Sequence, residues 1–350
     1  MKELFARRLK NARKLAGMSQ DDLVCAMDGY VKKTSIAKYE RAEMMPDSLV
    51  VLAMSQALGV LPGYFTREMN VTIQKPEFRK KRSLGVKELE SIEQKVISSL
   101  ESYLELEEMA GCADIFEKNL TTELICHEED VERAAEKLLG EWNLGLNGFF
   151  HVFSVLEERG IRLIEVRADK AFDGFSSYAN GNIPVIVFNK DYPVDRKRLT
   201  VLHELGHLLL NFSEDLQKDE KRMEKMCFRF GAAMLMPRSC FNREVGVKRH
   251  YFPIPELVKL KVKYGLSVQA IVRRAWDLEV INDSYYQTMQ FELTKNKTEE
   301  GWGEYGFPEE PGRFEQILLR SVAEEVISLE KAAELVGMKS YEFMNKYQIS

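Results

Sequence analysis

Apolar residues recur with two different periods along the 350-residue chain, and the change of period separates its regions. Up to about residue 66 they return every three or four positions, which is the spacing of amphipathic helices. Turn-forming residues interrupt the pattern at Gly17, at Asp28-Gly29 and at Pro46. The pattern predicts five short helices with tight connections, which form one helical domain over residues 1–70.

A basic and polar passage over residues 71–85 follows this domain. It contains Pro76 and the run Arg79-Lys80-Lys81-Arg82, a composition that is typical of connecting segments. We interpret the passage as a linker, and a basic recognition tail is the alternative.

The next part of the chain mixes helical and strand-like patterns. Helical spacing predicts amphipathic helices over 86–109 and 128–141. Three short runs rich in β-branched and aromatic residues, at 161–166, 174–178 and 183–188, then predict a small sheet with a hairpin.

The rest of the chain returns to helix. Further helices are predicted over 199–211 and 223–236, and the chain beyond residue 253 is mostly helical. The predicted fold class is therefore α+β and mostly helical. It comprises the N-terminal helical domain, a central domain over 86–250 and a helical C-terminal region over 251–350.

Composition and charge restrict the class of protein. Hydrophobic residues at 45% and charged residues at 30% are ordinary for a soluble globular protein. No apolar run approaches the about 20 residues that a bilayer requires, and the N-terminus does not resemble a secretory signal. The five cysteines include no Cys-x-x-Cys pair, which favours reduced thiols. We expect a cytoplasmic protein with no membrane partner.

The sequence His203-Glu204-Leu205-Gly206-His207 is the sharpest chemical signal. On a helix the two histidines lie four positions apart on one face, so both imidazoles can bind one ion. Neutral imidazoles suit zinc, and a carboxylate beside a metal-bound water can act as a general base. The spacing predicts a Zn2+ site with His203 and His207 as ligands and Glu204 as the base. The alternative is a buried helix in which two histidines are four apart by chance.

A third protein ligand is sought among the carboxylates that follow His207. They are Glu214, Asp215, Asp219, Glu220 and Glu224. The first four lie in a polar passage that is typical of a solvated loop, whereas Glu224 opens the apolar helix predicted over 223–236. A carboxylate in an apolar interface is costly unless it meets a cation. Glu224 is therefore the predicted ligand, with Glu220 as the alternative.

Several segments around this motif resemble the ImmA/IrrE family of bacterial metallopeptidases. The matching segments are 156–161, 173–176, 186–189, 196–210 and 232–237. The resemblance implies a zincin-like fold and cleavage of a protein substrate, often a DNA-binding repressor. It also implies that Glu224 is the family's metal-binding glutamate, although Cys227 and Gly231 stand where the family usually has alanine.

The N-terminal region resembles the Xre-type helix-turn-helix (HTH) family. Ser19 is a suitable N-cap for the second helix, and residues 32–41 have the pattern of a recognition helix with Ile36 and Tyr39 in the core. The predicted contacts to double-stranded DNA are Gln20, Lys32, Lys33, Thr34, Ser35, Lys38 and Arg41. The connection at 28–31 is longer than the usual tight turn, so the contact residues stay open, and a helical bundle for protein contact is the alternative.

Together these signals predict a zinc metallopeptidase coupled to a DNA-binding module, which regulates transcription by cleaving a protein such as a repressor. A second hypothesis is a DNA-binding regulator or antitoxin whose zincin-like domain has a sensing or structural role. A third is cleavage of the chain's own linker around residues 74–82. A homodimer is usual for HTH proteins. The C-terminal region is open to interpretation as a sensor, a dimerisation element or a partner-binding surface.

Overall fold

The computed structural model describes residues 1–68, 71–74, 85–113, 116, 123–307 and 309–349. These residues form two compact units. The first comprises Met1–Ala113, Ala179–Gly181 and Gly312–Ser350, and the second comprises Asp114–Tyr178 and Asn182–Pro311. The basic run that was predicted to be a linker, at 79–82, lies outside the described residues.

The described elements are numbered here in chain order. The helices are α1 (Lys2–Leu15), α2 (Gln20–Ala26), α3 (Lys33–Glu40), α4 (Ser48–Leu58), α5 (Val86–Ala110), α6 (Glu128–Glu141), α7 (Val152–Glu158), α8 (Val194–Leu209), α9 (Glu214–Lys218), α10 (Glu220–Leu235), α11 (Arg238–Val245), α12 (Ile254–Tyr264), α13 (Val268–Asp277), α14 (Asp283–Leu293), α15 (Arg313–Ala323), α16 (Leu329–Leu335) and α17 (Ser340–Tyr347). The strands are β1 (Leu124–Ile125), β2 (Arg162–Val166), β3 (Gly174–Ala179), β4 (Ile183–Asn189) and β5 (Asn211–Phe212). Short 3-10 helices lie at Pro62–Thr66 and Thr294–Asn296.

The N-terminal part of the first unit is the predicted bundle of short helices. Helices α1 to α4 and the 3-10 helix that follows them share a core that includes Leu9, Leu23, Ile36, Met54 and Phe65. The fifth predicted element is thus a 3-10 helix. The side chain of Ser19 accepts a hydrogen bond in a capping box at the start of α2, as the sequence predicted.

Helix α5 and the last three helices complete the first unit. Arg8 of α1 is fully buried, and its Nη1 atom lies 2.6 Å from Glu101 Oε2 on α5. On another part of α5, Leu106 lies in one apolar core with Leu318 of α15 and Phe343 of α17. These contacts place residues 86–110 and 312–349 in the same unit as the N-terminal helices, whereas the sequence grouped 86–110 with the central domain.

The second unit is a three-stranded sheet with helices packed around it. Strand order is β2-β4-β3, and β2 runs parallel to β4, with Ile164 opposite Val187 in the register. The three-residue turn between β3 and β4 requires an antiparallel pair. Helix α8 follows β4 and packs against it and against α10. The sheet and α10 therefore fix the position of α8 from two sides.

Buried ion pairs connect α8 and α6 to later parts of the second unit. Arg198 of α8 is fully buried and bonds Glu309 at 2.6 Å. Arg274 of α13 forms two hydrogen bonds with Glu132 of α6, at 2.6 and 2.7 Å. Since a buried charge requires a partner, these pairs extend the unit well beyond residue 250, where the sequence had placed a boundary.

Every helix among the described residues is too short or too polar to cross a lipid bilayer.

Candidate metal centre

Helix α8 presents two histidines to the same point in space. The helix covers most of the stretch predicted over 199–211 but begins earlier, at Val194. His203 and His207 are one turn apart, and their Nε2 atoms lie 3.1 Å from each other. His203 is buried and His207 is half-buried. The predicted pairing of the two imidazoles on one face of a helix is what the structure shows.

Helix α10 brings a carboxylate to the two imidazoles. Glu224 Oε2 lies 3.2 Å from His203 Nε2, and Glu224 Oε1 lies 3.3 Å from His207 Nε2. Among the described residues, these three side chains form a group of ligand-type atoms within 4.8 Å of one another. Glu220, the alternative considered from the sequence, is exposed at the start of α10.

The helix that carries Glu224 begins earlier than the sequence predicted. It starts at Glu220 rather than at residue 223, because the Asp219 side chain accepts a hydrogen bond from the Arg222 backbone N–H and caps the helix. Glu224 therefore lies in the second turn. Its side chain still faces α8, since the face of a helix on which a residue lies does not depend on where the helix starts.

Two glycines set the close approach of α8 and α10. A Cβ atom at Gly231 would lie 3.1 Å from the His203 backbone nitrogen, and one at Gly206 would lie 3.3 Å from the Phe230 ring. Both distances are shorter than ordinary van der Waals contacts. A side chain at either position would push the helices apart, so these glycines allow Glu224 to reach the histidines.

The electrostatic environment of Glu224 favours its ionised form. Burial raises the pKa of this carboxyl, but hydrogen bonds and attraction from His203 and His207 outweigh burial and hold the pKa well below its usual range. An ionised carboxylate and two imidazoles together form a suitable set of donors for a divalent cation.

The spacing of the three donors fits a zinc ion. Zinc binds imidazole nitrogen and carboxylate oxygen at about 2.0–2.2 Å in tetrahedral geometry, so neighbouring ligand atoms should be about 3.3 Å apart. The two imidazole nitrogens lie 3.1 Å apart, His203 Nε2 lies 3.2 Å from Glu224 Oε2, and His207 Nε2 lies 3.3 Å from Glu224 Oε1. Two nitrogen donors and one oxygen donor leave the fourth position of a tetrahedron for water, as in catalytic zinc sites.

Glu204, the predicted base, has a hydrogen-bond partner that the sequence did not reveal. It is buried on α8 between the two histidines in sequence, and its Oε2 atom accepts a hydrogen bond of 2.9 Å from Ser176 Oγ. Ser176 lies on β3, in one of the segments that resemble the ImmA/IrrE family. The contact depends on how the sheet packs against α8, which sequence spacing does not encode.

The outer nitrogens of the two imidazoles have different surroundings. Cys227 Sγ lies 3.4 Å from His207 Nδ1, and Cys227 is fully buried on α10, one turn after Glu224. His203 Nδ1 is buried and has no hydrogen-bond partner among the described residues. The Phe228 ring lies 4.0 Å from the His203 ring and covers it. Cys227 is therefore placed to orient His207, a role that the sequence did not suggest.

Four of the predicted DNA contacts lie on or next to the surface of α3. Lys32, Thr34 and Lys38 are exposed, and Ser35 is half-buried. Lys32 is the N-cap residue of α3, which begins one residue later than predicted. Thr34 and Lys38 are four positions apart and therefore share one face of the helix.

The other three predicted contacts are engaged in polar interactions within the unit. Gln20 donates a hydrogen bond of 2.8 Å to Glu40, which also accepts one from Arg13. The remaining two form exposed ion pairs at 2.6 Å, Lys33 with Asp21 and Arg41 with Glu43. Exposed pairs of this kind are weak and exchange readily with phosphate groups.

Comparison with known protein families defines the class of the two folded parts. Residues 156–275 match the family model of the IrrE N-terminal-like domain, which belongs to the M78 peptidases, and residues 9–65 match a helix-turn-helix family. The chain thus combines a peptidase-like domain with a helix-turn-helix domain. This is the architecture of the ImmA/IrrE proteins that carry an Xre-type HTH, so the resemblance seen in the sequence is confirmed. No curated protein gave a match.

Proposed function

We propose that the chain is a zinc-dependent metallopeptidase coupled to a DNA-binding module, and that it regulates transcription by cleaving a protein substrate such as a repressor. The observation that carries this proposal is the triangle of donor groups formed by His203, His207 and Glu224, whose imidazole nitrogens are 3.1 Å apart and lie 3.2 and 3.3 Å from the two carboxylate oxygens. The match to M78 peptidases supports the peptidase class, and the HTH match supports DNA binding.

The proposal assigns a distinct task to each residue of the site. His203, His207 and Glu224 would hold zinc, which lowers the pKa of a bound water toward about 7 and polarises a peptide carbonyl. Glu204 takes the proton of the attacking water and delivers it to the leaving amine. Ser176 holds the Glu204 carboxylate in position through its hydrogen bond.

Two arguments favour a catalytic over a purely structural metal site. Three protein donors leave an open coordination position, whereas structural zinc sites are closed by four protein ligands. Glu204 is a buried carboxylate beside the donors in sequence, and its Oε2 atom is bonded by a serine hydroxyl rather than by a cation. Such a group is suited to accept a proton.

The decisive experiment compares cells that express the wild-type chain with cells that express Glu204→Gln. N-terminal peptides are mapped across the proteome, and we expect one or a few proteins to be shortened only with the wild type. New N-termini within residues 74–82 of the chain itself would indicate self-cleavage. Identical peptide maps, with zinc bound to both forms, would favour the regulator or antitoxin whose zincin-like domain senses a ligand.

A further inference from the structure

The last two helices of the chain have the geometry of a helix-turn-helix. Helix α16 has seven residues and α17 has eight, and the turn between them spans residues 336–339. Gly337 in this turn has a φ of +68°, in the left-handed region that favours glycine. Helix-turn-helix motifs join their helices by three or four residues that often include glycine. This motif lies outside the matched segment 9–65.

The first helix of this motif corresponds in detail to α2 of the N-terminal HTH. Both α2 and α16 have seven residues, and each follows a serine, Ser19 or Ser328. Each serine hydroxyl accepts a hydrogen bond from the backbone N–H three residues later, at 3.1 and 3.2 Å. The fourth residue of each helix, Leu23 or Ala332, is fully buried.

The second helices correspond in the same way. Both α3 and α17 have eight residues and follow a lysine. Their fourth residues, Ile36 and Phe343, are fully buried. In both helices the second and sixth residues are exposed, and the fifth and eighth are half-buried. Helix α17 thus matches the predicted recognition helix α3 at these five positions, and it differs at the first, third and seventh, where Ser340 is half-buried and Glu342 and Lys346 are exposed.

Packing holds the C-terminal motif with its second helix outward. Ala332, Ala333 and Phe343 share an apolar core with Leu318 of α15 and Leu106 of α5. Helix α16 contacts α15 and α5, whereas the main contact of α17 is α16. This leaves one side of α17 exposed, as a recognition helix requires.

The exposed side of α17 carries groups that can contact DNA. Tyr341 and Asn345 occupy the second and sixth positions, one turn apart on the same face. An asparagine amide can form two hydrogen bonds with adenine in the major groove. Lys339 and Lys346 are exposed near the two ends of the helix, where lysines can bind phosphates. The Glu342 carboxylate accepts hydrogen bonds from the Lys339 backbone N–H at 3.1 Å and from the Tyr341 hydroxyl at 2.9 Å, and the second bond has to open before that hydroxyl can bond a base.

We infer that α16 and α17 form a second DNA-binding helix-turn-helix, and that α17 enters the major groove of duplex DNA with Tyr341 and Asn345 facing the bases. The chain then reads a DNA site in two parts, one through α3 and one through α17. The α17 part should contain an A·T pair. This inference does not depend on peptidase activity, and it gives the C-terminal helices a function that the proposed peptidase role does not require.

The test selects binding sequences from a pool of random 40-base-pair duplexes. Full-length protein with Glu204→Gln is used throughout, so that proteolysis cannot alter the chain. One variant carries Thr34→Ala and Lys38→Ala, and another carries Tyr341→Ala and Asn345→Ala. We expect each variant to lose one part of the selected sequence and keep the other. Affinity for the parent's selected duplex should fall by about tenfold or more in each case.

Gln316→Ala is the matched control, because Gln316 is an exposed amide on α15 outside the motif. It should select the same sequence as the parent with the same affinity. If the Tyr341→Ala, Asn345→Ala variant also selects that sequence with unchanged affinity, α17 does not read DNA, and a protein-docking role replaces the inference. If that variant selects no sequence at all although its circular dichroism spectrum is unchanged, the result would contradict the inference that α3 and α17 read DNA independently. If only the Thr34→Ala, Lys38→Ala variant kept the whole selected sequence, the result would count against DNA reading by the N-terminal module instead.

Discussion

At the scale of single residues, the site depends on which carboxylate completes the donor triangle. Glu224 contacts both imidazoles at 3.2 and 3.3 Å, whereas Glu220 is exposed one turn earlier on the same helix. We expect Glu224→Ala to weaken zinc binding by at least a hundredfold and Glu220→Ala to change it by less than threefold. Titration with a zinc chelator as competitor measures both. A similar loss in the two variants would remove Glu224 from the ligand set.

Ser176 offers a test of how Glu204 is positioned. Its hydroxyl donates a hydrogen bond of 2.9 Å to the Glu204 carboxylate. Without this bond the carboxylate can rotate away from the attacking water, so Ser176→Ala should lower kcat by about tenfold with unchanged zinc content. Cleavage of the substrate found by the Glu204→Gln comparison is the measurement. Ser176→Thr keeps the hydroxyl and should recover most of the rate, and failure of this recovery would point to a packing role.

Cys227 should affect the metal through His207. A histidine that binds metal through Nε2 usually donates its Nδ1 proton to a partner, and the partner here is the Cys227 sulfur at 3.4 Å. We expect Cys227→Ala to weaken zinc affinity by about tenfold, within the range known for such outer contacts. Cys240→Ala is the control, since Cys240 is a buried cysteine in the same core. Equal effects of the two changes on zinc affinity would show that only core packing matters.

The sequence predicted that His203, His207 and Glu224 lie together, but it did not predict their surroundings. His203 and His207 are four apart on one helix, and Glu224 stood out as a carboxylate in an apolar helix. Both signals are local patterns. The contacts of Ser176 with Glu204 and of Cys227 with His207 join residues 28 and 20 positions apart, and they exist only after β3, α8 and α10 have packed. Spacing along one chain does not contain that information.

At the scale of elements, a buried ion pair joins α6 to α13. Burial raises the pKa of Glu132, but the guanidinium groups of Arg274 and Arg229 outweigh burial and hold the pKa below its usual range. A carboxyl with a lowered pKa in the folded state stabilises the fold above the pKa of the unfolded chain, about 4.3. That stabilisation is lost as the pH falls toward the folded-state pKa. Acid should therefore weaken this ion pair, whereas contacts between uncharged groups should not change with pH.

Glu132→Gln tests this connection. At pH 7 we expect the free energy of unfolding to fall by about 3 kcal/mol, since a buried arginine loses its charged partner. The difference from wild type should shrink as the pH falls below about 4. Urea unfolding at several pH values provides the measurement. The control is Glu129→Gln. Glu129 lies on α6 like Glu132, but its ion pair with Arg238 is exposed, so the change should cost less than about 1 kcal/mol. A difference that stays constant with pH would exclude the ionic contribution.

Element types were predictable where periodicity was strong. The helix predicted over 128–141 is α6, and the one predicted over 86–109 is α5 with one further residue. The start of α10 was predicted three residues late because its first turn is polar, although Asp219 is a suitable N-cap. The parallel pairing of β2 with β4 was not predicted, because it requires a crossover whose path depends on tertiary packing.

At the scale of the whole molecule, metal binding should appear as a gain in stability. A ligand present at a thousand times its Kd stabilises the fold by about 4 kcal/mol, which corresponds to about 10 °C for a unit of this size. We expect chelation of zinc to lower the Tm of the wild type by this amount, measured by calorimetry. Glu224→Ala should start from the lower Tm and respond little to the chelator. An equal drop in both proteins would mean that zinc acts elsewhere.

The division of the molecule into two compact units differs from the domain boundaries predicted from the sequence. Residues 86–110 and the last helices were assigned to the central and C-terminal regions, yet they belong to the unit of the N-terminal helices. The contacts responsible are the pair of Arg8 with Glu101 and the apolar core around Leu106 and Phe343. These residues are separated by 93 to more than 200 positions, so no local pattern connects them.

The glycines between α8 and α10 also bear on the choice of metal. A methyl carbon at position 231 would lie only 3.1 Å from the His203 backbone nitrogen, so Gly231→Ala must widen the gap by a few tenths of an ångström. A wider gap lengthens the two edges of the donor triangle that end at Glu224. Longer edges suit an ion with longer bonds, such as manganese, better than zinc. The distance between the two helices would then select the radius of the bound ion. Metal preference would depend on the absence of side chains at Gly206 and Gly231 as well as on the three donors.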